Sequence, residues 1–251
     1  MARAAAPLTA RDSPRMVESS MQVTPRVQEV LDRLEETRGL YYNLARPSVE
    51  LLFLLARLVR PREIVEVGTS NGYSAIALGA AVQPFRGRVI TIERSGRLVE
   101  EARKNIADAG LQDVVTVFPG SAYKALKRLP GPFRFVFLDA TRQEYVGYLE
   151  QVRSKLAPRA LLVADNLLSH QDELAEFTRA VSKDSHFSSI VIPVGMGLLL
   201  SAYEEQTEPS PDRKILSLGE LVASARSRVF RGTASQVRNG EMFTRASMER
   251  S

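Results

Sequence analysis

EIVEVGTSNGYSAIALGAAVQPFRGRVITIE, residues 63–93, is the stretch that decides the fold. EIVEV (63–67) is a short run rich in β-branched residues that stops on a glycine, and RVITIE (88–93) is a second such run; both read as strands. Between them YSAIALGAAV (73–82) is small and apolar throughout and reads as a buried helix. Strand, glycine turn, helix and strand in that order make a βαβ unit. Its two strands run parallel, because the helix carries the chain back along the sheet.

The alternation continues downstream. GRLVEEARKNIADAG is a helix ended by Gly110, VVTVF (114–118) a strand, SAYKALKRL a short helix and FRFVFLD (133–139) a strand. EYVGYLEQVRSKL is helical, ALLVAD (160–165) is a strand, and HQDELAEFTRAVSK is a helix with Ser169 and Asp172 as its start signal. SSIVIPV (188–194) and GLLLSAY (197–203) are strands separated only by GM, a link too short to cross over, so they form an antiparallel hairpin. Upstream, TPRVQEVLDRLEETR opens with Thr24 as N-cap and Pro25 at the first helical position, and SVELLFLLARLV is a second helix ending before Pro61. The fold class is α/β: a doubly wound, mostly parallel sheet buried on both faces, with an antiparallel C-terminal hairpin.

Residues 1–22 lack periodicity and read as a disordered start; 23–203 carry the domain with its N-terminal helices; 204–251 read as a polar, basic extension. The 251 residues are 44% hydrophobic and include no cysteine, which excludes disulfides, thiolate metal sites and a cysteine nucleophile. LLFLLARLV is broken by Arg57 and falls far short of the roughly 20 residues of a membrane span. The N-terminus has no apolar signal region, and a cytoplasmic location is the expectation. The apolar helix over 48–59 suggests a homodimer. The net charge of +5 reads either as composition bias or as a polyanionic partner, RNA or an acidic substrate such as a coenzyme A ester.

In an open α/β sheet ligands bind beyond the carboxyl ends of the strands. The first strand runs into Gly68 and Gly72, spaced G-x-x-x-G, which lacks the extra glycine of a dinucleotide fingerprint. The second ends on Glu93, whose carboxylate can accept from both hydroxyls of a ribose. Glycine at the first strand and acid at the second fit an adenosine cofactor without pyrophosphate, such as S-adenosylmethionine (SAM). Ordinary turns and a helix cap explain the same residues one at a time. The fourth strand ends on Asp139 and the fifth on Asp165, followed by Asn166. Two carboxylates and an amide, with neither cysteine nor histidine, suit a hard cation: Mg²⁺, with Mn²⁺ or Ca²⁺ as alternatives. A helix cap at Asp139 and a turn at Asp165–Asn166 are the plainer reading. His170 and His186, the only histidines, read as surface or loop residues.

EVGTSNGYSA, ITIERSGRLVEEARKNIADAGLQDVVTVFPGSA, FVFLDATRQEY and LLVADN together resemble the cation-dependent O-methyltransferases, the family of catechol and caffeoyl-CoA O-methyltransferases. The resemblance runs from about Pro47 to Tyr203. It implies a Rossmann-like, seven-stranded methyltransferase sheet. It places Glu66, Gly68, Thr69 and Ser74 at the methionine end of SAM, Glu93 on the ribose, and Gly120, Ser121, Ala122 and Tyr123 beside the adenine. It makes Asp139, Asp165 and Asn166 the metal ligands.

One position departs from the family. A lysine, proposed as general base, usually stands three residues after the metal aspartate, and here Arg142 does. Arginine stays protonated and cannot take a proton at working pH. Arg142 then serves as electrostatic support, holding a metal-bound phenolate or an acidic substituent of the substrate while the metal carries deprotonation, or else faces solvent and pairs with Glu144. Thr141 also replaces an aspartate of the caffeoyl-CoA branch. The leading expectation is methyl transfer to a metal-chelated hydroxyl of a catechol-like small molecule. The alternatives are a transfer RNA hydroxyuridine as acceptor, and a non-catalytic SAM-binding or interaction protein.

Overall fold

The computed structural model describes residues 21–204. Three helices open the chain: α1 (Pro25–Glu36), α2 (Arg38–Tyr41) and α3 (Arg46–Val59). Then come β1 (Glu63–Val67), α4 (Tyr73–Val82), β2 (Arg88–Glu93), α5 (Gly96–Asp108), β3 (Val115–Pro119) and α6 (Ala122–Arg128). The second half holds β4 (Phe133–Leu138), α7 (Tyr145–Arg153), β5 (Leu156–Ala164), α8 (Ala175–Lys183), β6 (Phe187–Ile192) and β7 (Leu198–Tyr203). The expected extension over 204–251 and most of the expected disordered start lie outside the described residues. Met21, counted with that start, is buried in the core.

Local chemistry explains the elements. The Thr24 hydroxyl accepts from the Val27 amide at 3.3 Å, and Pro25 opens α1, which buries Val27, Val30, Leu31 and Leu34 on one face. α4 is buried along its whole length, as its unbroken apolar sequence requires.

The seven strands lie in the order β3-β2-β1-β4-β5-β7-β6. All neighbours are parallel except β5–β7 and β6–β7. Ile64, Phe135, Phe137 and Val163 pack into the core on one face, and Val65, Val67, Val136 and Leu162 into that on the other. Burying each such side chain is worth about 1.5–3 kcal/mol. The order reverses between β1 and β4, so the crevice lies at their carboxyl ends.

Several boundaries differ from the sequence reading. The helix predicted to reach Leu156 ends at Arg153, and β5 starts at Leu156 rather than at residue 160. Pro158 and Arg159 (φ +62°) sit where the β4–β5 register shifts, between Phe133↔Leu156 and Phe135↔Leu161, so the strand continues through a proline that reads as a breaker. The helix predicted from His170 starts at Ala175. The Ser169 hydroxyl donates to the Asn166 carbonyl and contacts His170 Nδ1 at 2.8 Å instead of capping. The hairpin is antiparallel as expected, but its link is PVGMG (193–197), not GM.

Candidate active site

The candidate residues emerge from the sheet on one rung. Gly120 N donates to the Glu93 carbonyl at 2.8 Å and Gly68 N to the Ile92 carbonyl at 3.0 Å. Asp139 N donates to the Val67 carbonyl at 2.9 Å and Asp165 N to the Leu138 carbonyl at 3.0 Å. Parallel register therefore carries five strand ends to one level, where they border a cleft of about 1370 Å³. Gly68, Thr69, Ser74, Glu93, Gly120, Ser121, Ala122, Asp139, Arg142, Asp165 and Asn166 all line it; of the site residues singled out in sequence, Glu66, Gly72 and Tyr123 do not.

The Tyr123 ring packs against Tyr148 instead, and Glu66 is fully buried. Neither of its carboxylate oxygens has a hydrogen-bond partner among the described residues. Burial pushes its pKa up to about 7; the nearby Ser74 and Thr91 hydroxyls temper the rise, and the charge of Glu93 adds to it.

On the glycine side, Gly68 has φ +100° and Gly120 φ +125°. The two serve differently. A Cβ at Gly68 would meet the backbone of Asp139, so this glycine makes room for the neighbouring strand as much as for a ligand; a Cβ at Gly120 would meet nothing within 4 Å. Glu93 is nearly buried, and each of its carboxylate oxygens accepts one backbone amide, Ser70 N at 3.0 Å and Ser95 N at 2.9 Å. That fixes the carboxylate and leaves further lone pairs free to accept. Thr69 is buried with its hydroxyl 2.6 Å from that of Thr91.

On the carboxylate side, Asn166 takes a left-handed backbone (φ +74°), which asparagine tolerates better than most residues. Its Nδ2 donates to Asp139 Oδ1 at 3.3 Å. Asp165 is buried with Oδ1 unpartnered. The Asp139 pKa is held well above the carboxylate range, first by burial, then by the charges of Asp165 and Glu66, against the opposing pull of Asn166 and Arg142. Burial pushes Asp165 up to about 6, tempered by the Asn166 backbone and the charge of Arg38. Mutually repelling carboxylates, an orphaned carboxylate oxygen and an all-oxygen donor set fit a hard divalent cation. Among the described residues no cluster of three His, Cys, Asp or Glu accompanies them, so such a site rests on Asp139, Asp165 and Asn166.

Arg142 pairs with Glu173 (Nε–Oε2 3.1 Å), not with Glu144. Glu144 accepts instead from the Tyr148 hydroxyl. Sequence reasoning passed over Arg38 and Met196, which line the cleft; His170, read as a surface or loop residue, lines it too. Met196 arrives because Leu167 N and Leu168 N donate to the Gly197 and Met196 carbonyls, each at 3.0 Å, docking the hairpin link beside Asn166. No periodicity marks such a contact.

The sheet order and the position of the cleft define a Rossmann-like methyltransferase fold. Residues 18–203 match the family model described as O-methyltransferase, and this chain belongs to that family. It is 40% identical over 129 residues to a catechol O-methyltransferase of Mycobacterium tuberculosis, covering 51% of this chain and 58% of the relative. It is 37% identical over 123 residues to a catechol O-methyltransferase of Niastella koreensis, covering 47% and 55%. The matches thus span less than two thirds of these relatives. The O-methyltransferase TomG of Streptomyces achromogenes, involved in tomaymycin synthesis and solved in complex with SAM, superposes with a TM-score of 0.65 at 28% identity, over 74% of this chain and 94% of that one.

Proposed function

We propose that this chain transfers the methyl group of SAM to one hydroxyl of a catechol-like small molecule, with a hard divalent cation, Mg²⁺ in the first instance, held by Asp139, Asp165 and Asn166. The observation that carries the reading is the shared rung. The glycines and Glu93 suited to an adenosine cofactor, and the oxygen donors suited to a cation, face one cleft. When bound, SAM supplies an electrophilic methyl group, and a divalent cation favours ionisation of a phenol, whose pKa is otherwise about 10.

The residues of the chain do the rest. Glu93, fixed by two backbone amides, orients the ribose. Gly120, Ser121 and Ala122 border the adenine. Asp139, Asp165 and Asn166 set where the diol binds relative to the methyl donor, which makes the encounter effectively unimolecular. Arg142, tied to Glu173, adds positive field beside Asp139 but accepts no proton. The hydroxyl proton leaves to solvent through the open side of the cleft.

The transfer RNA reading rests on net charge and on the arginines of the C-terminal extension, which lies outside the described residues. Exposed Arg62, Arg134 and Arg159 lie toward the amino ends of β1, β4 and β5, away from the cleft, while Arg38, Arg94 and Arg142 line it. Among the described residues no helix is long and apolar enough to cross a membrane.

The test is transfer of labelled methyl from SAM to catechol, with Mg²⁺ and then with EDTA. Transfer abolished by EDTA is expected. Transfer that EDTA leaves intact overturns the cation site, and cofactor binding without turnover on any diol overturns the catalytic reading.

A further inference from the structure

Three guanidinium groups line the cleft, those of Arg38, Arg94 and Arg142; Arg94 directly follows Glu93 on the side given to the ribose, and the surroundings of the other two differ. Arg142 is held by Glu173, which also accepts from Gln143 Nε2 at 2.6 Å. Its charge is spoken for. Arg38, on the four-residue helix α2, is exposed and donates from Nε to the backbone carbonyl of Asn43 at 3.2 Å. Among the described residues it forms no ion pair. That single backbone bond positions the side chain and leaves most of its five donors free.

An arginine fixed at its base and unpaired at its fork suits a carboxylate, which it can hold through two parallel charge-assisted hydrogen bonds. A neutral diol offers it only uncharged hydroxyl oxygens. Tyr42 and Met196, both cleft-lining and exposed, offer apolar surface at the rim, and a planar aromatic body suits both an aromatic ring and a thioether.

Resting on the methyl-transfer reading above, we propose that the acceptor is an aromatic diol bearing a carboxylate, its hydroxyls toward Asp139 and Asp165 and its carboxylate on Arg38, and that Arg38 is the residue selecting it over neutral or cationic diols. Sequence drew attention to Arg142 as a seat for an acidic substituent; the structure assigns that place to Arg38.

The experiment compares 3,4-dihydroxybenzoate, catechol and a dihydroxyphenyl amine as acceptors for the full chain, its R38Q variant and its R38K variant. Binding of each compound to the protein saturated with S-adenosylhomocysteine and Mg²⁺ is measured by calorimetry alongside turnover. The wild type is expected to favour dihydroxybenzoate over catechol by about tenfold in kcat/KM, through KM, as a charge-assisted contact would give. R38Q brings the ratio near one, and R38K lies between. Equal use of the three acceptors by the wild type overturns the proposal. So does a loss in R38Q that falls on S-adenosylhomocysteine affinity, which would assign Arg38 to the methyl donor. If no diol is turned over, the methyl-transfer reading itself fails, and calorimetry then judges Arg38 separately. Dihydroxybenzoate binding that depends on Arg38 supports the assignment; absent or Arg38-independent binding overturns it.

Discussion

A Cβ placed on Gly68 would lie 1.8 Å from the backbone carbonyl oxygen of Asp139. The first residue past β1 and the first past β4 are thus in backbone contact across the switch point, and the cofactor side of the cleft touches the carboxylate side there. Nothing flexible can yield at that distance, and φ at Gly68 is +100° besides. Gly68→Ala is expected to cost about 2–4 kcal/mol of stability. Displacing Asp139 should also cut methyl transfer by about 100-fold or more. Gly72→Ala provides the contrast. Its φ is +92°, but the nearest atoms to its Cβ lie at 3.5 Å, so about 1–2 kcal/mol is expected from backbone conformation alone. Thermal unfolding with parallel turnover assays separates the two; equal effects would remove the special role of the Gly68–Asp139 contact.

Glu66 makes a pH prediction for the ligand-free protein. Its ordinary pKa of 4.5 rises to about 7 in the folded state. Between those values the folded state binds more protons than the unfolded one, so stability is fully present below about pH 4.5 and is lost as pH rises through 7. The shift corresponds to a change on the order of 3 kcal/mol. Asp139 and Asp165 are raised too and act in the same direction. Glu66→Gln keeps the shape and removes the charge, so its stability should fall less between pH 5 and 8, leaving the share of the two aspartates. Urea unfolding across that range measures it; a variant curve parallel to the wild type would show Glu66 ionised at no cost.

The cation site is tested through one ligand and without turnover. Mg²⁺ bound only by the folded state should raise the unfolding temperature in a concentration-dependent way. Asp165→Asn replaces a buried carboxylate carrying an unpartnered oxygen and should abolish that rise. Loss of the cation should also lower methyl transfer by about 100-fold or more. An Mg²⁺-induced rise that persists in Asp165→Asn would place the cation elsewhere.

What could be read from sequence and what could not divide along the sheet. β1, α4 and β2 match to the residue, because β-branched runs bounded by glycine have one local solution. Asp139 and Asp165 were legible for a related reason: each ends an almost wholly apolar strand, and parallel register carries such ends to one level. β5 was misread at its start because a register shift absorbs Pro158, and local pattern carries no record of the partner strand. The glycine at 68 was found, but its close contact was not, since Asp139 lies 71 residues downstream in the chain, far outside the window of about 11–18 residues that periodicity spans. Arg38 and Met196 were missed because neither belongs to a periodic apolar pattern. Arg38 follows α1 without any apolar spacing, and Met196 depends on two backbone bonds from Leu167 and Leu168.

Arg142 supports the last prediction. If it acts through its charge rather than by moving a proton, Arg142→Gln should lower kcat/KM by about tenfold, while the pH–rate profile keeps its shape. Arg142→Lys keeps the charge within reach of Glu173 and should restore most of the loss. A general base would behave otherwise: its removal would erase a limb of the profile, and the lysine variant would add one in the alkaline range. Glu173→Gln completes the set, because it frees the guanidinium that Glu173 now holds at 3.1 Å. With the pair broken, Arg142 can itself receive an anionic substituent, so Glu173→Gln should strengthen binding of carboxylated diols. Weaker binding in that variant would show that the Arg142–Glu173 pair is needed to hold the cleft wall, and that the charge of Arg142 matters less than its position.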